Sequence, residues 1–320
     1  MSLSASLRTL PRRPKDLHKG RAGVTLVVGG SCRGEERMAG APALAACGAF
    51  RAGCGLVRVL TPEPLAVSVL QMMPSATATA LAVDAQGVVL ASAAAEVMDR
   101  HLIHAAAMVI GPGMPDDDAT GALALRAVQQ EQVPAVVDAG AISALAKVPW
   151  LTKDFRGRVI LTPHPGEFRR LAEPLRIGAD PVSPATRLAA CEQMAQRLGC
   201  IVVLKGAGTV VSDGLKRWTC TRGHPCLATA GTGDVLAGVI GGLIAQYGPE
   251  PHDPVLEAAR ARAGVAKGEE PLSLFDLACI GVEAHAMAGE RWAAERGASG
   301  GLLAMELGGL IPACVEACRG

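Results

Sequence analysis

The chain has 320 residues, half of them apolar, and a formal net charge of +1. Aromatic residues make up only 2%, so base-stacking platforms are nearly absent and no basic excess points to nucleic acid. A core this poor in rings is built from Ala, Val, Leu and Ile, which suits parallel strands buried on both faces under Ala-rich helices.

Short aliphatic runs recur along the chain, each ended by a turn signal. Val24–Val28 precedes Gly29-Gly30, residues 56–60 precede Thr61-Pro62, and residues 108–110 precede Gly111-Pro112-Gly113. Ala135–Val137 precedes Asp138, Val159–Leu161 precedes Thr162-Pro163, and Ile201–Leu204 precedes Lys205-Gly206. Between them lie Ala-rich stretches of helical length at 41–53, 64–72, 92–104, 119–132 and 185–198. Strands alternating with helices predict right-handed βαβ units and a mostly parallel sheet. Segments 209–211 and 216–221, around Asp213-Gly214, read as a β-hairpin. A helix over 235–247 follows, then a Pro-rich charged stretch at 249–271, read as a surface insertion with some helix around 254–263. Two helices at 274–296 and 302–318 close the chain. Residues 1–17 read as a flexible tail and 18–320 as one domain.

The ten cysteines form no Cys-x-x-Cys pair, and Cys314 and Cys318 share helical spacing without partner histidines, so they read as small buried hydrophobes in a reducing compartment. No apolar core follows Arg8, Arg12, Arg13 and Lys15, and the stretch 235–245 is Gly-interrupted and too short for a bilayer. A cytoplasmic protein without membrane partners is expected.

The turn signals all fall at strand C-termini, the edge where open parallel sheets bind ligands. The segment Ala228-Thr229-Ala230-Gly231-Thr232-Gly233-Asp234 runs into the helix 235–247. Its glycines admit close backbone approach, and the free amides and dipole of a helix start form an anion site. Gly231, Thr232 and Gly233 are the expected anion hole, and Asp234 is the candidate base for a hydroxyl aligned with a phosphate. The plainer alternative is a first-turn acid of the kind helices favour. Lys205, Gly206, Ala207, Gly208 and Thr209 follow a strand and suit a nucleotide phosphate and ribose, or else form a Gly-rich turn into the hairpin. Thr162-Pro163-His164-Pro165-Gly166-Glu167 is a stiff loop in which Pro165 starts a helix, Glu167 lies in its first turn, and His164 is held for hydrogen bonding to substrate. Asp138 either orients substrate or water near Mg²⁺ or caps a helix at 141–146. His285 reads as a structural hydrogen bonder. Cys226 and Cys54 have no evident base, and no metal ligand set is assigned.

These motifs, with Gly29-Gly30-Ser31, Gly40-Ala41-Pro42 and Arg51-Ala52-Gly53-Cys54-Gly55-Leu56-Val57, resemble the nucleotide-dependent NAD(P)H-hydrate dehydratases of the ribokinase-like superfamily. The resemblance spans nearly the whole chain in the family's order. It implies a three-layer α/β sandwich with a mostly parallel sheet, helices on both faces and a small β-hairpin. The implied reaction is repair of NADH or NADPH hydrated on the nicotinamide ring: ADP or ATP, with Mg²⁺, phosphorylates the ring hydroxyl and phosphate then leaves. By carry-over, Ala41, Gly113, His164 and Asp234 contact the hydrated dinucleotide, and Lys205, Gly206, Ala207, Gly208, Thr209 and Gly233 hold the adenosine nucleotide. A homo-oligomer, a tetramer as in family members, is also implied; the fused epimerase domain of many members is absent, so epimer interconversion is expected to need a separate epimerase. Three positions depart from the family pattern: Gly140 stands where a second Asp is frequent, and Cys226 and Ala230 replace frequent glycines. A methyl at Ala230 would crowd the turn if that residue needs positive φ. Competing readings are a ribokinase-like kinase of a thiazole or pyrimidine alcohol, and a catalytically silent nucleotide sensor.

Overall fold

The computed structural model describes residues 3–4, 6–149, 151–249 and 272–320. Apart from Pro249, the expected insertion at 249–271 lies outside the described residues. The strands are β1 (Leu3–Ser4), β2 (Val24–Val28), β3 (Leu56–Pro62), β4 (Thr77–Leu81), β5 (Ala107–Ile110), β6 (Ala135–Val137), β7 (Val159–Leu161), β8 (Ile201–Leu204), β9 (Val210–Ser212) and β10 (Lys216–Thr219). They form one sheet in the order β1-β10-β9-β8-β7-β6-β5-β2-β3-β4. Every pair from β8 through β4 is parallel, and β9 is antiparallel to both β8 and β10. The hairpin predicted around Asp213-Gly214 is β9–β10, with the Asp213 carboxylate accepting from the amides of Leu215 at 2.8 Å and Lys216 at 2.6 Å.

The helices are α1 (Gly40–Arg51), α2 (Ala66–Met72), α3 (Ala91–Leu102), α4 (Asp118–Gln129), α5 (Ala139–Leu145), α6 (Pro165–Leu175), α7 (Arg187–Leu198), α8 (Thr232–Tyr247), α9 (Leu274–Arg296) and α10 (Ala304–Ala317). Alternate strand residues point to opposite faces. Val27, Val59, Val109, Val136, Ile160 and Val203 pack under α1, α8, α9 and α10. Leu26, Leu60, Met108, Val137, Leu161 and Val202 pack under α3 through α7. The result is the predicted three-layer sandwich. Among the described residues no helix is long and apolar enough to cross a membrane.

Two features differ from the sequence reading. The strand β4 had no signal, because Thr77-Ala78-Thr79-Ala80 is small and half-exposed at the sheet edge. The segment expected as a flexible tail is tied down: Leu3–Ser4 pairs with β10, and Leu10 is buried. The Leu10 amide donates to the Cys318 carbonyl at 2.8 Å, and the Gly320 amide donates back to Leu10 at 3.1 Å. A single leucine in a basic, Pro-rich stretch has no periodicity to announce this burial.

Helix α8 is buried nearly all round, and its contact with α1 is made backbone to backbone. A Cβ on Gly238 would lie 2.0 Å from the Ala45 carbonyl oxygen, one on Gly48 would lie 2.3 Å from that of Val235, and one on Gly242 would lie 2.5 Å from that of Ala49. No side chain fits in that seam without separating the helices. Gly238→Ala is therefore expected to destabilise the protein by about 2–3 kcal/mol, the upper range for overpacking a core. A denaturant melt of the variant, with the midpoint compared at unchanged m, measures the loss.

Candidate active site

The parallel ladder continues one residue past each strand and so lines up the candidate residues on one edge. The Gly111 amide donates to Val28 at 3.1 Å, Asp138 to Ile110 at 2.9 Å, Thr162 to Val137 at 3.1 Å, and Lys205 to Pro163 at 2.9 Å. The side chains then converge. Lys205 Nζ lies 2.6 Å from Asp138 Oδ1 and 3.8 Å from Glu167 Oε2. Thr162 Oγ1 donates to Asp138 Oδ1 at 2.8 Å. Asp138 occupies the N-cap position of α5, yet its carboxylate makes no cap hydrogen bond. It is committed to Lys205 and Thr162 instead, so of the two sequence readings the capping one is not what the side chain does.

Glu167 and His164 form a capping box at the start of α6. The His164 amide donates to Glu167 Oε2 at 2.8 Å, and His164 Nδ1 accepts from the amides of Gly166 at 2.9 Å and Glu167 at 3.3 Å. With Nδ1 accepting, the proton of the neutral ring sits on Nε2. Nε2 is 3.4 Å from Glu167 Oε1, and the ring is half-exposed. Glu167 is thus both the dipole-matched acid expected from sequence and a member of the buried charge cluster, a role the sequence reading missed.

Asp234 lies in the first turn of α8, behind Gly231 in the left-handed conformation at φ +89°. The first intrahelical bond runs from the Val235 amide to Gly231 at 3.1 Å. The Gly233 and Asp234 amides precede it and have no intrahelical acceptor. Thr232 Oγ1 ties the turn down by donating to the carbonyls of Leu227 and Thr229, each at 2.9 Å. A Cβ on Gly233 would lie 3.4 Å from Lys205 Nζ, which places the lysine directly against the anion turn.

Burial, and then repulsion from Asp138 and Glu167, push the Asp234 carboxyl up to about 7, with Lys205 opposing. Burial raises Glu167 as well, against the pull of Lys205. Burial works against the Lys205 charge, but the carboxylates of Asp138, Glu167 and Asp234 outweigh it and raise its pKa.

A cavity of about 630 Å³ opens beside this cluster, within the range of small-molecule sites. Lys205, Gly206, Ala207, Gly208 and Thr209 line one wall, Thr232 and Gly233 another, and residues 220–225 with Leu227, Ala228 and α9 complete it. Arg187, which the sequence reading passed over, braces the first wall. It is buried, and its guanidinium donates to the carbonyls of Leu204 at 2.7 Å, Lys205 at 2.8 Å and Gly208 at 3.2 Å. An arginine at the start of an otherwise apolar helix face was its only sequence signal. Ala41 and Gly113 meet each other: a Cβ on Gly113 would lie 3.0 Å from that of Ala41. The turn carrying Gly113 also rests on the cluster, since a Cβ on Gly111 would fall 1.8 Å from the Asp138 carbonyl oxygen.

The departures have local explanations. A Cβ on Gly140 would lie 1.9 Å from the Met114 carbonyl oxygen, so an aspartate there requires the backbone to move. Among the described residues only Ala139 and Arg176 combine a side chain with positive φ. Ala230 therefore carries no such strain, and its methyl does not crowd the turn in the way feared. Cys226 is buried, with Sγ donating to the Gly289 carbonyl at 3.3 Å.

The family profile described as NAD(P)H-hydrate dehydratase matches residues 25–313. A bifunctional NAD(P)H-hydrate repair enzyme Nnr of Coxiella burnetii is 36% identical over 300 residues, covering 93% of this chain and 51% of its own length. The chain thus spans about half the length of such relatives. An ADP-dependent (S)-NAD(P)H-hydrate dehydratase of Xanthomonas campestris is 35% identical over 245 residues, covering 76% of this chain and 79% of its own. The fold matches that of a Bacillus subtilis ADP/ATP-dependent NAD(P)H-hydrate dehydratase co-crystallised with ATP and Mg²⁺. That match has a TM-score of 0.69 and 28% identity over 97% of this chain and 95% of the other. A Pyrococcus horikoshii hydroxyethylthiazole kinase, at 16% identity and a TM-score of 0.52, shares the fold.

The raised Asp234 pKa has a sign consequence for stability. The folded chain holds this proton more tightly than the unfolded chain, whose carboxyl titrates near 3.8. The carboxyl costs no stability below that value, and its cost grows as pH rises to about 7 and is complete above it. Asp234→Asn is therefore expected to raise Tm at pH 8, with the gain disappearing toward pH 4. Thermal melts at the two pH values test this; an equal or lower Tm at pH 8 contradicts the burial of the charge.

Proposed function

The chain belongs to the NAD(P)H-hydrate dehydratase family, and we propose that it uses ADP or ATP to dehydrate hydrated NADH or NADPH. The observation that carries this reading is the convergence of Asp234, raised to about 7, with Lys205 and the open amides of the α8 start. A carboxyl with that pKa is half ionised at neutral pH, which matches a general base to its task. Asp234 takes the proton of the ring hydroxyl as its oxygen attacks the terminal phosphorus, and the bond from that phosphorus to the bridging oxygen breaks, releasing AMP from ADP or ADP from ATP. Amides of Gly233 and Asp234, with Gly231 and Thr232 shaping the turn, receive the charge that builds on the phosphoryl oxygens. Lys205, Gly206, Ala207, Gly208, Thr209 and Gly233 hold the nucleotide. Ala41, Gly113, Asp138 and the Nε2–H of His164 hold the hydrated dinucleotide. Phosphate then leaves with its C–O electrons, a proton departs from the neighbouring ring carbon, and the ring double bond returns.

The residues fit Mg²⁺ as a companion of the nucleotide. Among the described residues no group of three His, Cys, Asp or Glu side chains converges to cage a metal. Magnesium needs no such cage, because it keeps waters and takes one or two carboxylates plus phosphate oxygens. Asp138 and Glu167 would be those carboxylates. Three acids facing one lysine otherwise repel an incoming phosphate, and a bound divalent cation would neutralise that charge. The same reading carries a cytoplasmic location and assembly of several copies into a tetramer; the family resemblance supports these.

Purified protein mixed with Mg²⁺, ADP or ATP, and hydrated NADH is expected to restore the absorbance of reduced nicotinamide and to release free phosphate. Asp234→Asn should lower kcat by about 100-fold or more while leaving nucleotide binding in place, and Lys205→Ala should mainly weaken nucleotide binding. A stable phosphate ester as product would mark a kinase, and nucleotide binding without turnover would mark a sensor. With the parent, kcat should rise as pH increases through about 7, following ionisation of Asp234. A flat profile from pH 6 to pH 8 would remove Asp234 from the base role.

A further inference from the structure

We infer that His285 is a positioning residue for the anion turn: its Nε2–H fixes the peptide whose other end presents the Gly233 amide to phosphate. This rests on the functional reading above. His285 lies on α9, is buried, and lines the cavity beside Thr232 and Gly233. Its Nε2 is 2.9 Å from the Thr232 carbonyl oxygen. A carbonyl has no proton to give, so Nε2 carries the hydrogen and donates it.

The Thr232 carbonyl and the Gly233 amide belong to one planar peptide unit, in which C=O and N–H point opposite ways. Among the described residues there is no cis peptide bond. Holding the oxygen from the α9 side therefore fixes the direction of the Gly233 N–H at the opposite end of the peptide, in a residue that lies against Lys205 and lines the cavity. This matters because Gly233 has no side chain to lock its own orientation and a first-turn amide has no intrahelical acceptor to do so. The carbonyl also accepts the helical bond of α8, so the His285 bond adds a second donor to the same oxygen. Polarising that oxygen makes the Gly233 N–H a stronger donor, since linked hydrogen bonds reinforce one another. Thr232 Oγ1 anchors the same residue on the loop side, through Leu227 and Thr229. The turn is thus gripped from both sides, with only its amide face left open.

The ring is suited to the role at all working pH values. Burial, with the nearby Lys205 charge acting the same way, pushes its pKa down to about 4, although the bond to Thr232 works in the opposite direction. His285 stays neutral and adds no charge to a pocket meant for phosphate.

The test separates phosphate recognition from overall integrity. Binding of ADP and of adenosine to the full-length protein is measured by calorimetry, with Tm recorded for each variant. Loss of a single oriented donor predicts that His285→Leu weakens ADP by about five- to tenfold while adenosine changes by less than about twofold. His285→Gln, which keeps an N–H donor, should regain most of the ADP preference, and kcat should follow the same order. His285→Met serves as a second apolar variant if the leucine form does not fold. A purely structural role would weaken ADP and adenosine together, or lower Tm with the ADP preference intact, and either result overturns the assignment. If the parent protein itself binds ADP no better than adenosine, the anion turn does not hold phosphate and the functional reading fails first.

Discussion

The site depends on how closely α8 can lie against α1. Helix α8 runs beneath the sheet with its N-terminus at the ligand edge, and Gly48, Gly238 and Gly242 let the two backbones touch. Dispersion between the close-packed backbones adds to the apolar burial that Val235, Leu236 and Val239 share with Ala45, Ala46 and Ala49. Interiors are dense and resist continuous deformation. A helix held this way cannot slide or tilt by fractions of an ångström, so the position of its first turn is inherited from the core. Asp234, Gly233 and the open amides are therefore placed by packing some distance from the chemistry.

Against that rigid turn the protein has set an electrostatic arrangement that works against its own stability. Removing charges from water costs several kcal/mol each, and pairing repays this only in part. Lys205 meets Asp138 at 2.6 Å and Glu167 at 3.8 Å, and Asp234 completes a set of three acids around one cation. Burial first, and then the surplus of acid, lift the Asp234 carboxyl toward neutrality. A paired, well-solvated aspartate would remain ionised and be a weak base. The same crowding leaves the cluster ready to accept positive charge, which is the form in which a phosphate arrives with its cation.

Much of this was legible because strands and turn signals carry their own chemistry. Aliphatic runs ending in Gly, Asp, Thr-Pro or Lys-Gly gave the parallel strands and put the candidate residues on one edge. Asp213-Gly214 gave the hairpin. What could not be read was anything that depends on tertiary contact. Glu167 is an ordinary capping acid until β8 brings Lys205 beside it. Arg187 opens a helix in the sequence, and only the fold shows its guanidinium donating to the carbonyls of Pro181, Leu204, Lys205 and Gly208. The burial of Leu10 needs the far end of the chain to be present. The β4 strand has two β-branched threonines but no Val, Ile or aromatic residue, so no aliphatic run announces it at the sheet edge.

The departures from the family pattern show how local context redefines a position. Ala139 adopts φ +48° immediately after Asp138, an unfavourable conformation for a residue with a side chain. The next residue, Gly140, sits so close to the Met114 carbonyl that any Cβ would collide with it. The same turn meets Gly111, which has no room for a side chain against the Asp138 carbonyl. Both contacts come from one segment, the turn after β5 in which the Met114 amide donates to the Gly111 carbonyl at 3.0 Å, and this close approach holds Ala139 in its strained conformation. Beside it, the Asp138 carboxylate makes no cap bond to α5 and instead accepts from Lys205 and Thr162. Gly140 thus belongs to the close approach of the two turns, while Asp138, held by Thr162, joins Glu167 beside the lysine.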